Sequence, residues 1–206
     1  MISATLLNTM GEDLTVANSA RVSFGKKHDH LESKDIGLIQ YLAEHKHISP
    51  FGHCFASFHV KAPVFVARQL VKHKFLRWNE ISRRYVDDEP EFYMPAVWRG
   101  RSEDKKQGSE GVAETDVSPK YAYTAALETY KNLLADGVTP EQARMVLPQA
   151  MYTEWYWSGS LDAFADMCRL RCAPDTQMET RFVAEEISDE LIRYFPVSWN
   201  ALMEAK

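Results

Sequence analysis

The stretch "FASFHVKAPVFVARQLVKHK", residues 55–74, decides the fold. Its first six residues alternate: Phe55, Ser57 and His59 fall on one side of an extended chain and Ala56, Phe58 and Val60 on the other. That period of two predicts a half-buried strand. Pro63 can then open a helix in its first turn, where the missing N–H costs nothing. The helix would turn Val64, Phe65, Leu70 and Val71 inward and run into a basic stretch, with Arg68 and Lys72 one turn apart on a shared face. A strand feeding directly into a helix sets the α+β character of the chain.

Working outward, Ile2 to Leu7 reads as extended, and Asn18 to Ser23 as a loop or short helix. Ile36, Leu38, Ile39 and Leu42 recur at helical spacing and predict an amphipathic helix from Ser33 to His45, stopped before "HISPFGH" (47–53) by Pro50 and Gly52. Residues 99–120 hold few large apolar side chains and predict a flexible surface loop. Tyr121 to Ala135 is periodic and closes at Gly137. Thr139-Pro140-Glu141-Gln142 forms a capping box that predicts a helix through "ARMVLPQAMYTEWYW" (143–157), kinked at Pro148. On such a helix Trp155, Tyr156 and Trp157 point in different directions, so at least one would face a partner chain or ligand. Ser160 or Asp162 caps the next helix, through Arg171, and Thr176-Gln177-Met178-Glu179 opens a last long helix to about Tyr194. The sum is one α+β domain over residues 1–206, with a modest antiparallel or mixed sheet and a helix-dominated second half.

The chain carries a formal charge of −5, which argues against a general nucleic-acid binder. Locally the sign inverts: from Arg68 to Arg84 there are six Lys or Arg (68, 72, 74, 77, 83, 84) against Glu80 alone. An island of this kind suits a compact anion such as a nucleotide or phosphate. No apolar run approaches the roughly 20 residues that span a bilayer, and no basic segment followed by an apolar one opens the chain, so a soluble cytoplasmic protein with no membrane partner is expected. Cys54, Cys168 and Cys172 are odd in number and fit no disulfide framework.

No cysteine lies in a nucleophile motif and no Gly-x-Ser-x-Gly elbow exists. Ser82 is better suited to a cap or a phosphate donor than to nucleophilic attack. The histidines at 28, 30, 45, 47, 53 and 59 lack zinc spacing, so no metal is expected, and loop histidines beside a basic island suit hydrogen bonds to ligand oxygens. There is no phosphate-binding glycine loop, so an anion must be held by side chains. Arg84, Arg144 and Arg171 offer the planar forks for it.

These residues resemble the flavin-dependent thymidylate synthases. His73 flanked by Lys72 and Lys74, then seven residues, then Ser82, is similar to that family's Arg-His-Arg-x7-Ser signature. "HISPFGH" (47–53) resembles its His-x-Ser/Thr-Pro-Phe-Glu-His loop, and "FHVKAPVFVARQ" (58–69), "NEISRRY" (79–85), "ARMVLP" (143–148) and "LRC" (170–172) follow in the family's order.

The resemblance implies reductive methylation of dUMP at C5 without a cysteine nucleophile. Methylenetetrahydrofolate would be the carbon donor and NADPH the reductant, through FAD. It implies an α+β fold in a homotetramer whose active sites draw on several subunits. Gln69, Glu80, Ser82, Arg84, Arg144 and Arg171 would hold dUMP, with Arg84 and Arg144 on the phosphate, Arg171 polarising the uracil, and Arg171, Glu80 and Ser82 as the catalytic set. His47, Ser49, Lys72, His73, Lys74, Asn79, Glu80, Ser160 and Asp166 would line the FAD and folate region. The chain departs from the pattern at Lys72 and Lys74, where arginines stand in the family, and at Gly52, where Glu is usual. Ser160, Asp162 and Asp166 stand for Asn, Arg and Asn. Two alternatives stay open: modification of another pyrimidine nucleotide, hydroxymethylation included, and a non-catalytic nucleotide binder.

Overall fold

The computed structural model describes residues 1–103 and 108–205. The first half runs β1 (Ser3–Met10), α1 (Asp13–Arg21), α2 (Ser33–Glu44), a 3-10 turn at Ser49–His53, β2 (Phe55–Pro63), α3 (Val64–Leu70) and β3 (Arg77–Glu80). After a short hairpin, β4 (Arg99–Arg101) and β5 (Ser109–Val112), come α4 (Lys120–Ala135), α5 (Pro140–Ala143), β6 (Tyr152–Ser160), α6 (Leu161–Arg171), α7 (Met178–Tyr194) and α8 (Pro196–Glu204).

Four strands form an antiparallel sheet in the order β1-β2-β6-β3. Its spine is the β2–β6 ladder, in register from Phe55 opposite Ser160 to Pro63 opposite Tyr152. The predicted alternation in β2 holds. Ala56, Phe58 and Val60 are buried, while Phe55, Ser57 and His59 face the wetter side, where His59 pairs with Glu154 at 2.9 Å. Across the ladder Phe58 sits opposite Trp157, and both meet Phe164 of α6 edge-to-face at 5.3 and 5.6 Å between centroids. Trp78 of β3 stacks on Trp155 at 4.3 Å. Helices α6 and α7 cover this apolar face, and α8 packs on them and on α2.

The long helix expected through residues 143–157 does not form. Only Pro140–Ala143 is α-helical, a 3-10 turn at Arg144–Val146 follows, and Tyr152–Ser160 is a strand. Aromatic and β-branched residues alternate here, and the pleat buries Trp155 and Trp157 at 1% exposure each while Tyr156 points outward at 58%. The three therefore take two directions.

The helix after Pro63 is also shorter than expected. Pro63 is the last residue of β2 and the N-cap of α3, which ends at Leu70 with Val66, Ala67 and Leu70 inward and Val71 half exposed. Lys72 thus lies beyond the helix and shares no face with Arg68. The chain instead turns through Phe75, an exposed non-glycine residue in the left-handed region at φ 66. The loop expected at 99–120 contains the β4–β5 hairpin, and its residues 104–107 lie outside the described residues.

Distant segments lock the ends of elements. Val197 N–H and Ser198 N–H at the start of α8 donate to the carboxylate of Asp13, at 2.9 and 2.8 Å. Among the described residues no helix is long and apolar enough to cross a membrane.

The turn at Phe75 rests on Gly159. A Cβ there would stand 2.5 Å from Leu76 Cδ2 and 3.1 Å from the Phe75 carbonyl oxygen. Gly159→Ala is therefore expected to cost about 1–3 kcal/mol of stability through overpacking, read from urea denaturation midpoints at unchanged slope.

Candidate active site

The carboxyl ends of α3 and α6 meet, and three of the sequence-derived site residues come together there. Arg171, the last residue of α6, donates from Nε to His73 Nε2 at 2.9 Å and from a terminal nitrogen to the Gln69 carbonyl at 3.4 Å. Arginine has only donors, so His73 must present a lone pair at Nε2 and carry its proton on Nδ1. The imidazole is then neutral. Burial pushes the His73 pKa below the ordinary histidine value, the Arg171 cation adds to this, and the Asp166 carboxylate opposes it. Burial likewise lowers the Arg171 pKa.

Gln69 reaches the other way. Its Nε2 donates to Gln177 Oε1 at 2.6 Å and to the Phe65 carbonyl at 3.4 Å. Gln69, Arg171 and Gln177 line one cleft of about 300 Å³, walled by Leu170, Ala173 and Thr176. In the sequence Gln177 stands only in the stretch that opens the last long helix and belongs to no site motif. Helix α7 begins at Met178 with Gln177 as N-cap, while the Thr176 hydroxyl, predicted as a cap, donates to the Leu170 carbonyl at 3.0 Å. No local pattern marks a pairing across 108 residues.

Glu80, on β3, is aimed by two bonds: Trp78 Nε1–H donates at 3.1 Å and the Thr153 hydroxyl at 2.6 Å. Ser82 Oγ accepts the Arg84 N–H at 3.3 Å. Arg84 and Arg144 both gather at Glu141 of α5, through its carboxylate at 3.6 Å and its carbonyl at 3.2 Å. Both guanidinium groups are exposed, with long contacts that a stronger anion could replace. No hydrogen bond or ion pair among the described residues links this group to Arg171.

The residues expected around a flavin fall in two places of opposite sign. Lys72, Lys74 and Arg77 are exposed and have no carboxylate partner among the described residues, and Asn79 is exposed on β3 opposite Tyr156. That free positive charge fits an anionic ring system or diphosphate. His47 and Ser49 are exposed at the 3-10 turn. Ser160 caps α6, whose first turn carries Asp162. Asp162 Oδ1 is buried without a hydrogen-bond partner, and a Cβ on Gly52 would lie 3.9 Å from it. The Asp162 carboxylate thus sits against a residue with no charge. Asp166 is neutralised by Arg169 one turn on.

A second cleft, of about 460 Å³, adjoins the first through Gln177 and Gly108. At its wall buried Glu179 accepts from Arg99 at 2.6 Å and from the Tyr93 hydroxyl at 3.0 Å. Burial alone would raise the Glu179 pKa, but the Arg99, backbone and Tyr93 bonds outweigh it and hold it low. Burial and that carboxylate push the Tyr93 hydroxyl up to about 12. The pair ties the β4–β5 hairpin to the start of α7.

His28, Glu32 and Asp35 lie close enough to share a cation. However, the Asp35 oxygens are already engaged by Arg21, His28 Nδ1 and the Glu32 N–H. Burial would raise the Asp35 pKa, and those bonds hold it at about 2. The group is a structural clasp between α1 and α2.

The family of thymidylate synthase complementing protein matches residues 5–197. A flavin-dependent thymidylate synthase of Thermus thermophilus is 40% identical over 202 residues, covering 97% of this chain and 74% of the relative. One from Kosmotoga olearia is 36% identical over 204 residues, covering 96% and 88%. This chain belongs to the thymidylate synthase complementing protein family. It is an enzyme of the flavin-dependent thymidylate synthase type. Among solved structures, the UMP/dUMP methylase PolB from Streptomyces cacaoi bound with 5-Br dUMP superposes with a TM-score of 0.88 at 31% identity, over 100% of this chain and 96% of that one.

The His73–Arg171 bond has a pH signature. The folded-state pKa of His73 lies below its unfolded value, so between the two the unfolded chain binds the extra proton and stability climbs with pH up to about 6.5. Gln can accept from Arg171 without titrating. The difference in urea midpoint between wild type and His73→Gln is expected to change with pH below about 6.5 and to be flat above it.

Proposed function

We propose that this synthase methylates dUMP at C5 to give dTMP. It would use FAD as cofactor, methylenetetrahydrofolate as carbon donor and NADPH as reductant. The observation that carries this reading is Arg171 in a chain of this family: a half-buried guanidinium whose nearest partner is a neutral imidazole, so its charge remains available to a ligand.

Arg84 and Arg144 bind the phosphate, with Ser82 as a further donor. Arg171 is placed to stabilise negative charge on a uracil carbonyl oxygen as C5 forms its bond to the incoming carbon. Glu80, already aimed by Trp78 and Thr153, orients the nucleotide. Lys72, His73, Lys74, Asn79, His47, Ser49 and Ser160 would hold the flavin and folate, with Asp166 at the margin beside Arg169. When bound, the flavin supplies the hydride that reduces the transferred one-carbon unit to a methyl group. Residues 1–206 act in this reading as one domain. In this reading the protein assembles as a homotetramer in which one subunit completes another's site.

No cysteine is needed. Cys54 is buried, its thiol pushed up to about 12 by burial and the Asp13 carboxylate, and burial raises that of Cys168 further from reactivity. Cys172 lies next to Arg171, and its thiol is lowered by the Cys168 hydrogen bond. A second reading, in which UMP is also accepted, is favoured by the likeness to the Streptomyces methylase that is bound with 5-Br UMP in a further structure, TM-score 0.87.

The purified protein should be yellow and should form dTMP from dUMP, methylenetetrahydrofolate and NADPH. Mass spectrometry of products from dUMP, UMP and dCMP separates the readings. Arg171→Ala should lower turnover by at least about a hundredfold, while Cys172→Ser should leave it within about twofold. A loss of dTMP formation in Cys172→Ser would overturn the cysteine-free mechanism.

A further inference from the structure

We propose that Gln177 determines which pyrimidine this site accepts, by fixing Gln69 so that one acceptor stands between two donors. The inference rests on the nucleotide reading above and names a residue outside the family signature.

The orientation of the Gln69 amide follows from its neighbours. The Phe65 carbonyl can only accept, so Gln69 Nε2 must face it, and the same nitrogen donates to Gln177 Oε1. Both Gln69 N–H groups are then engaged and its Oε1 is left as a bare acceptor. Gln177, having given its oxygen to Gln69, is left with Nε2 as a donor. The Arg171 guanidinium, joined to the Gln69 main-chain carbonyl and to His73, retains N–H donors with no partner among the described residues. All three residues line the same cleft of about 300 Å³, and Gln69 is bonded to both of the others.

The resulting array reads donor, acceptor, donor. The imide edge of uracil reads acceptor (O4), donor (N3–H), acceptor (O2), and matches at all three positions. Cytosine presents donor (N4), acceptor (N3), acceptor (O2), and clashes at two. Turning the Gln69 amide to suit cytosine would set its oxygen against the Phe65 carbonyl and Gln177 Oε1, acceptor against acceptor. Discrimination of this type is strong because a mismatch leaves partly buried polar groups unpaired.

The test uses the flavin-loaded protein, with dissociation constants for dUMP and dCMP from calorimetry and kcat/KM on each nucleotide. Wild type is expected to prefer dUMP by about a hundredfold or more. Gln177→Glu keeps the acceptor for Gln69 but deletes the donor, and should weaken dUMP binding by roughly tenfold or more. Gln177→Ala frees Gln69 to turn, so dUMP should lose more than dCMP and the preference should shrink about tenfold. A merely structural role would weaken both nucleotides alike. If wild type makes dTMP and both variants keep the wild-type dUMP/dCMP ratio, the proposal for Gln177 is overturned while the synthase reading stands. If wild type binds no dUMP at all, both fall. Thermal melting of each variant shows that it is folded, and if Gln177→Ala is not, the Glu variant decides.

Discussion

The ladder between β2 and β6 is the constraint on which the rest depends. It joins residues about a hundred positions apart, and each end launches a helix: α3 leaves β2 at Pro63, and α6 leaves β6 at Ser160. Because the pair is antiparallel, these helices start from opposite ends of the sheet. The 11 residues of α6 span about 16 Å, so the helix returns part-way along the ladder and its last residue arrives beside the end of α3. That is how Arg171 meets Gln69 and His73. The close approach of Gly159 to the turn at Phe75 sets the same register from the other side, holding the basic stretch against the strand that carries α6.

Charge neutralisation then sorts the arginines. Arg21 is matched by Asp35 and Arg99 by Glu179, in each case by a fully or almost fully buried carboxylate, and both pairs fasten one segment to another. Arg171 is buried to a similar degree but is met by a neutral imidazole and a carbonyl. Burying a cation beside neutral acceptors costs stability that a carboxylate would have offset. The cost is tolerated where the charge is meant for something that is not protein. Arg84 and Arg144 use a different arrangement: they stay exposed, share one weak acidic anchor, and give up little on meeting a phosphate.

The sequence revealed elements whose signals are local, and hid those whose cause lies far along the chain. Alternation in residues 55–60 and the helical spacing of 33–45 were legible because each periodicity is complete within its own segment. Residues 152–157 were misread as helix because the capping box at Thr139-Pro140 and the Ala, Met and Gln that follow favour continuation. The alternation of Tyr152 to Trp157 becomes decisive only when β2 offers a ladder on one side and β3 on the other. The site followed the same division. Arg171, His73 and Ser82 stand in ordered motifs, so the family could be recognised from residue patterns alone. Gln177 and the Arg99–Glu179 tie were not legible, since their partners lie 108 and 80 residues away.

Asp13 carries a consequence of its own. Its carboxylate caps α8 from 184 residues upstream, and α8 has no cap supplied by its own flanking side chains. A helix with a neighbouring cap can fray and re-form by itself, whereas this one has its first turn satisfied only while α1 is in place. Amide hydrogens of α8 should therefore exchange with solvent together with those of α1, as a single cooperative unit rather than as a loose end.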